Sequence, residues 1–302
     1  MKKKNFINHL AAWSGLALAL LLAPEAQAVQ WGSYHWAGSA PLSLDVYDNV
    51  ATQYESSLEL AVGPPPKGVG SWEYTGVLDM TLHTGGTNTS CSPVSGHIEV
   101  CSGAYGATGW LGLTQIWTIN GSEIVEATSK INDTYFQSAP YNSSDYLWRD
   151  KTLCHELGHS VGLDHQDNDP STNLMSCMDI TNTLVDADRY PNSADYQTLQ
   201  NMYGSPSSKT SKKGKGGGGG GGGGGNGKGK NKASALPPAF DSLTFDQPRQ
   251  WGRTIRSSRN GLEETFDLDF GNGIHVLTNV EWASPEEHDR VHPHDRARSR
   301  SR

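Results

Sequence analysis

The sequence predicts an α+β protein in which a first domain is followed by a glycine-rich linker and a small β-rich unit. Three observations support this fold class. Short runs rich in β-branched and aromatic residues, separated by Gly, Pro and Ser, fill the front half of the first domain. Apolar residues then recur at helical spacing, at Leu153, Leu157 and Val161. After Gly204 the composition changes abruptly to Ser, Lys and Gly.

The first 28 residues have the pattern of a secretory signal peptide. Three lysines precede an apolar run at residues 10–23, and Ala26-Gln27-Ala28 is a small-x-small triplet of the kind that signal peptidase cleaves. The run is short for a membrane span, and no later segment is long and apolar enough to be one. An uncleaved N-terminal anchor is the alternative. We expect cleavage near Ala28 and a secreted mature chain without a transmembrane segment.

The four cysteines of the chain indicate disulfide bonds, because an exported protein enters an oxidising compartment. Four cysteines allow three connectivities. We expect Cys91–Cys101, which closes a short local loop, together with Cys154–Cys177. Four free buried thiols are the alternative.

Charge is distributed unevenly along the chain. Residues 29–204 contain 20 Asp and Glu against 5 Lys and Arg, whereas residues 205–235 contain seven lysines and no acid. The tail ends in Arg-Ala-Arg-Ser-Arg-Ser-Arg. An acidic body argues against nucleic acid as a partner.

The composition predicts four segments after the signal peptide. Residues 29–204 form one globular domain, and residues 205–235, with ten consecutive glycines, form a flexible linker. A β-rich unit follows at 236–283, where two alternating runs flank Gly271-Asn272-Gly273 as in a hairpin. The charged tail 284–302 is expected to be disordered.

Within the first domain, strands are predicted at 98–100, 111–118 and 123–131, with Asn120-Gly121 as the turn between the last two. Helices are predicted at 145–161 and 195–203.

One segment carries the chemistry: His155-Glu156-Leu157-Gly158-His159, followed by Gly162 and His165. Residues four apart share a helix face, so His155 and His159 can bind one metal ion. Gly162 can adopt the left-handed conformation that ends a helix, and the chain can then return His165 to the same ion. Three imidazoles leave a fourth position on zinc for water, and Glu156 lies close enough to act as general base.

This segment resembles the signature of the metzincin zinc peptidases, HExxHxxGxxH followed by a methionine turn. It is similar in particular to a matrixin-like group of exported bacterial proteins, with Cys-His-Glu at the helix and Cys-Met-Asp in the turn. The resemblance implies a twisted mixed sheet, an active-site helix beneath it and a small C-terminal subdomain. It favours Met178 over Met175 as the turn methionine, with Cys177 bridged to Cys154. Ile180 departs from relatives that place an oxyanion-assisting tyrosine there, and Tyr190 could take that role only if its loop folded back.

Other candidate sites are less specific. The segment 110–115 resembles the edge strand on which metzincins bind substrate, although an ordinary core strand fits equally well. His83 and His97 with Asp79 could form a second zinc site like that of matrixins, or be ordinary histidines. Asp164, Asp167 and Asp169 could bind Ca²⁺, but their spacing fits no EF-hand.

The sequence therefore predicts a secreted zinc endopeptidase that acts on protein or peptide substrates, with zinc bound by His155, His159 and His165. Two alternatives remain open. One is a zinc-containing binding or adhesion module without catalysis. The other is a zinc hydrolase that acts on a cell-wall bond.

Overall fold

A mixed β-sheet organises the residues that the structure describes. The structure is a computed structural model, and it describes residues 29–63, 70–142, 146–181, 183–204, 245–284 and 286–287. Within these ranges, nine strands join the sheet. They are β1 (His35–Trp36), β2 (Leu42–Asn49), β3 (Leu78–His83), β4 (His97–Gly103), β5 (Trp110–Ile119), β6 (Glu123–Asn132), β7 (Arg253–Ser257), β8 (Glu263–Gly271) and β9 (Ile274–Trp282).

The strands follow the order β3-β2-β4-β6-β5-β9-β8-β7, and β1 pairs with β6 beside this path. The pairs that β1 makes with β6, that β2 makes with β3 and β4, and that β4 makes with β6 are parallel. The pairs β6–β5, β5–β9, β9–β8 and β8–β7 are antiparallel. The sheet is therefore mixed, and β5 lies in its interior.

Four α-helices accompany the sheet in the described ranges: α1 (Thr52–Val62), α2 (Asp133–Phe136), α3 (Leu147–Ser160) and α4 (Ser193–Tyr203). The α+β class predicted from the sequence is confirmed at this level, as a large mixed sheet with few helices. The predicted helices at 145–161 and 195–203 correspond to α3 and α4, and the predicted strands correspond to β4, β5 and β6.

The helix α3 packs against the sheet at β5 and β6 and also against α1. Its apolar residues Leu153 and Leu157 are fully buried. They belong to a core that includes Trp72 and Met178. Because α3 is held by the sheet and by a second helix, its position relative to β5 is fixed.

The C-terminal strands continue the same sheet. Asn272 and Gly273, both with positive φ, join β8 and β9 as the hairpin pattern predicts. β9 pairs with β5 from Trp110 opposite Trp282 to Thr118 opposite His275. A second apolar core forms where the two parts of the chain meet, and it contains Trp110, Leu113, Trp117, Ile119, Val125, Phe245, Trp251, Phe266, Val276, Val280 and Trp282.

Several predicted segments lie outside the described residues. They are the signal peptide (1–28), the linker (205–235), the start of the C-terminal unit (236–244) and nearly all of the tail (284–302). Whether residues 29–204 fold independently of the C-terminal unit stays a prediction.

Both predicted disulfides, Cys91–Cys101 and Cys154–Cys177, are present in the structure. Two disulfides are compatible with an extracellular protein.

Among the helices of the described ranges, none has the length and apolar character needed to cross a membrane.

Candidate metal centre

Three histidines converge at the C-terminal end of α3. His155 and His159 lie one helical turn apart, and Gly162, with φ +91°, turns the chain so that His165 returns to them. The Nε2 atom of His155 lies 3.0 Å from that of His159 and 3.2 Å from that of His165. All three side chains are buried, and together they form a cluster that could hold a metal ion.

The opposite nitrogens of two of these rings are fixed by backbone carbonyls. Nδ1 of His155 lies 2.6 Å from the carbonyl oxygen of Cys177, and Nδ1 of His159 lies 2.8 Å from that of Leu163. A carbonyl can only accept a hydrogen bond, so Nδ1 carries the proton and the Nε2 lone pair is free for a metal. The rings are thus oriented as metal ligands require.

The spacing of the Nε2 atoms fits a bound ion. Ligands held 2.0–2.1 Å from a tetrahedral zinc ion are separated by about 3.3 Å, close to the observed separations. Burial first, and the neighbouring His155 second, hold the pKa values of His159 and His165 well below their usual range. Both rings are therefore neutral near pH 7, which is the form that binds metal.

Glu156 is fully buried between α3 and β5. Its Oε2 accepts a hydrogen bond of 2.6 Å from the Thr114 hydroxyl, whereas its Oε1 has no hydrogen-bond partner. Gly112 provides the space for this carboxylate, because a Cβ at that position would lie 2.2 Å from Oε1. Burial, and then the Glu281 carboxylate, raise the pKa of Glu156 well above its usual range, while the Thr114 hydrogen bond opposes the shift.

The two candidate turn methionines have different environments. Met178 is fully buried beneath α3, where a Cβ at Gly158 would lie 2.3 Å from its sulfur, whereas Met175 is 61% exposed. The Cys154–Cys177 disulfide joins the residue before His155 to the residue before Met178. The disulfide and the Cys177 carbonyl thus connect this loop to the first histidine of the cluster.

Ile180 and Tyr190, the two positions considered for an oxyanion-assisting side chain, lie in different surroundings. Ile180 is buried and lines a small cavity of about 40 Å³ between α3 and the C-terminal strands. The Arg189 guanidinium lies 5.5 Å from the ring centroid of Tyr190, and the Tyr190 carbonyl accepts a hydrogen bond from the Cys177 amide.

The other candidate metal ligands have different partners. His83 pairs with Asp45 at 2.7 Å, and the Tyr47 ring stacks on both His83 and His97 with centroids 4.5 Å apart. Asp164 pairs with Arg256, and Asp169 lies 3.6 Å from Arg259. Among the described residues, the three histidines are the one group of His, Cys, Asp and Glu side chains whose ligand atoms all lie within 4.8 Å of one another.

Four residues near the cluster are absent from the sequence-based prediction: Thr114, Lys151, Glu263 and Glu281. The Lys151 ammonium lies 2.5 Å from Glu281 and also interacts electrostatically with Glu263 and Glu156. The Glu263 carboxylate approaches two of the histidines. A buried acidic residue in a predicted hairpin strand belongs to no sequence motif. The alternation of side chains along β8 and β9 was the one sequence signal for the face of the sheet on which it lies.

No family model, no curated protein and no solved structure matches the chain.

Proposed function

We propose that this protein is a zinc-dependent peptidase in which His155, His159 and His165 bind the ion and Glu156 is the general base. The observation that carries the proposal is the convergence of three buried Nε2 atoms with separations of 3.0 and 3.2 Å, next to a buried glutamate on the same helix. The donor set fits zinc, which accepts three imidazoles in catalytic sites. The metzincin resemblance of this segment agrees with the proposal.

When bound, a zinc ion would polarise the scissile carbonyl and lower the pKa of water. Glu156 accepts a proton from the attacking water and passes it to the nitrogen of the leaving amine as the C–N bond breaks. Thr114 orients the carboxylate through its hydrogen bond to Oε2. Burial raises the pKa of Glu156, which makes its carboxylate a stronger base than that of an exposed glutamate.

The choice between peptide bonds and other bonds rests on β5. This strand lies beside Glu156, to which it contributes Thr114 and Gly112. In the structure β9 occupies this edge of β5, so an extended peptide that took the place of β9 would lay its backbone along the glutamate, and such pairing requires no particular sequence. A protein or peptide substrate therefore suits the proposed site once that edge is free.

A metal-binding module without catalysis is the competing function, and one observation favours it. Glu263 approaches His155 and His165, each at 3.5 Å, and a fourth protein ligand is typical of closed structural zinc sites.

The experiment that tests the proposed function is Glu156→Gln in the intact chain. Glutamine keeps the shape of the side chain but cannot accept the proton, so hydrolysis of a casein-type substrate should fall by about 10²–10⁴-fold. Zinc content, measured by elemental analysis, should be unchanged. Glu123→Gln is the matched control, because that carboxylate contacts Asn120 in the β5–β6 turn and should not affect turnover. Full activity in zinc-loaded Glu156→Gln would exclude Glu156 as the base.

A further inference from the structure

The Glu263 carboxylate lies at the three-histidine cluster. Its Oε1 is 3.5 Å from Nε2 of His155, and its Oε2 is 3.5 Å from Nε2 of His165. The residue is only 2% exposed, and Oε2 has no hydrogen-bond partner. Lys151 interacts electrostatically with this carboxylate, but no donor reaches Oε2, and a buried carboxylate oxygen without a donor is unfavourable unless a positive charge lies at that atom.

A metal ion in the cluster would supply that charge. The Nε2 atoms approached by Glu263 are the same atoms that point into the cluster, and separations of 3.5 Å are near the value of about 3.3 Å between ligands of a tetrahedral zinc ion. The two separations belong to different oxygens, so the carboxylate lies beside the His155 and His165 rings, and a bound ion would draw one oxygen into the fourth position, where a catalytic site holds water. Glu263 reaches this point because β8 begins there, directly opposite Glu281 of β9.

The strand β9 covers the edge of β5. Its ladder with β5 runs along nearly the whole strand, and Glu281 lies opposite Gly112, the residue packed on Glu156. An extended peptide could pair with β5 only after β9 had left, because each backbone group of an edge can bond only one neighbouring strand.

Charged and apolar contacts hold the C-terminal strands in this position. Lys151 of α3 pairs with Glu281, and Lys130 of β6 pairs with Asp246. Arg256 pairs with Asp164, the neighbour of His165. Trp282 and Trp110 pack together in the second apolar core. One of these contacts is made by the helix of His155 and His159 and another by the neighbour of His165, so the segment is held beside the metal cluster.

We propose that residues 245–284 are a tethered inhibitor of the site: Glu263 is the fourth metal ligand, and β9 occupies the place of a substrate strand. This inference rests on the proposed peptidase function. Residues 205–244 join the two parts covalently, so an inhibitory segment that leaves the site is not lost from the chain.

The test uses the full chain loaded with Co²⁺ and azide as the probe of an open metal position. The visible spectrum of the unaltered chain should not respond to azide, whereas the spectra of Glu263→Gln and Glu263→Ala should. Asp269→Asn is the matched control, because it replaces an exposed carboxylate of the same strand and should leave the azide response as in the unaltered chain.

Hydrolysis of a casein-type substrate is measured on the zinc forms of the same proteins. If the C-terminal segment has left the metal site in fewer than about one molecule in ten of the unaltered chain, both Glu263 variants should hydrolyse the substrate at least about tenfold faster than that chain. Asn279→Pro, which breaks the β9 ladder opposite Thr114, should also raise the rate with Glu263 in place.

The outcomes separate the two proposals. An azide response in the unaltered chain, or none in the Glu263 variants, overturns the assignment of Glu263 as a ligand, whatever the activity. An azide response in the variants without hydrolysis in any protein leaves that assignment standing, but overturns both the inhibitory role and the proposed peptidase function.

Discussion

At the scale of single residues, ring orientation determines whether the histidines can bind a metal. The carbonyls of Cys177 and Leu163 receive the Nδ1 protons of His155 and His159, so both Nε2 atoms face the cluster. His165 differs, because its Nδ1 lies 3.5 Å from the Asp164 carboxylate and not at a backbone carbonyl with a hydrogen bond of the same kind. Its position depends on the turn at Gly162, where a Cβ would lie 2.7 Å from the Tyr34 carbonyl oxygen.

The first prediction at this scale compares two histidines. His165→Gln should weaken zinc binding by more than the roughly 10–100-fold that follows loss of an outer-shell partner, because a direct ligand is removed. His83→Gln should leave zinc binding unchanged, since His83 pairs with Asp45 away from the cluster. Competition with a coloured chelator measures both affinities. Equal losses in the two variants would contradict the assignment of the ligands.

The sequence predicts the three histidines and Glu156 because their spacing is local. Positions four apart on a helix and a glycine-based turn bring them together without long-range information. Thr114 and Glu263 could not be predicted in this way. Their positions depend on which strands lie next to α3 and β5, and that is a property of the tertiary pairing.

At the scale of secondary-structure elements, the Cys154–Cys177 disulfide couples α3 to the loop beneath it. The bond fixes Cys177, whose carbonyl accepts the hydrogen bond from His155. The Cys91–Cys101 disulfide instead joins β4 to the loop before it. The two bonds offer a matched comparison, because only the first is connected to a metal ligand.

The second prediction replaces each cysteine pair by serine. Either double variant should lower the free energy of unfolding, measured with urea, by about 2–4 kcal/mol. Only Cys154→Ser with Cys177→Ser should also reduce zinc affinity, because the His155 ring loses its fixed acceptor. If the Cys91 and Cys101 variant reduces zinc affinity equally, the effect comes from general destabilisation and the proposed coupling is wrong.

The strand β5 shows the limit of prediction for an element. Its bounds are close to those expected, but the sequence leaves open whether it is an edge or a core strand. Every residue of β5 is buried, and β6 and β9 flank it. The apolar and polar residues of Trp110–Ile119 do not alternate cleanly, as is typical of a strand covered on both faces. That pattern cannot identify the covering strand, which comes from a distant part of the chain.

At the scale of the whole molecule, the acidic first domain and the C-terminal strands form one sheet. Each part supplies a cation to an ion pair with the other: Lys151 of the first domain pairs with Glu281, and Arg256 of the C-terminal strands pairs with Asp164. Composition predicts the change of character after Gly204, but it cannot predict that the following hairpin returns to the first domain.

The third prediction concerns this association. A full chain with a specific protease site inserted in the glycine run should remain one particle on size-exclusion chromatography after cleavage, since the ladder and the second core persist. When mild denaturant separates the pieces, zinc should stay with the N-terminal piece, because all three histidines precede Gly204. Immediate separation without denaturant would show that the C-terminal strands are only weakly bound.

The most direct test of the central claim is a zinc titration of the metal-free protein, with hydrolysis of a casein-type substrate measured at each step. It is run on the intact chain and on Glu263→Gln in parallel. Our account predicts that activity rises linearly and stops rising at one zinc per chain, and that a chelator abolishes it. The absence of hydrolysis at every zinc level in both proteins, or hydrolysis that persists with the chelator, would contradict it.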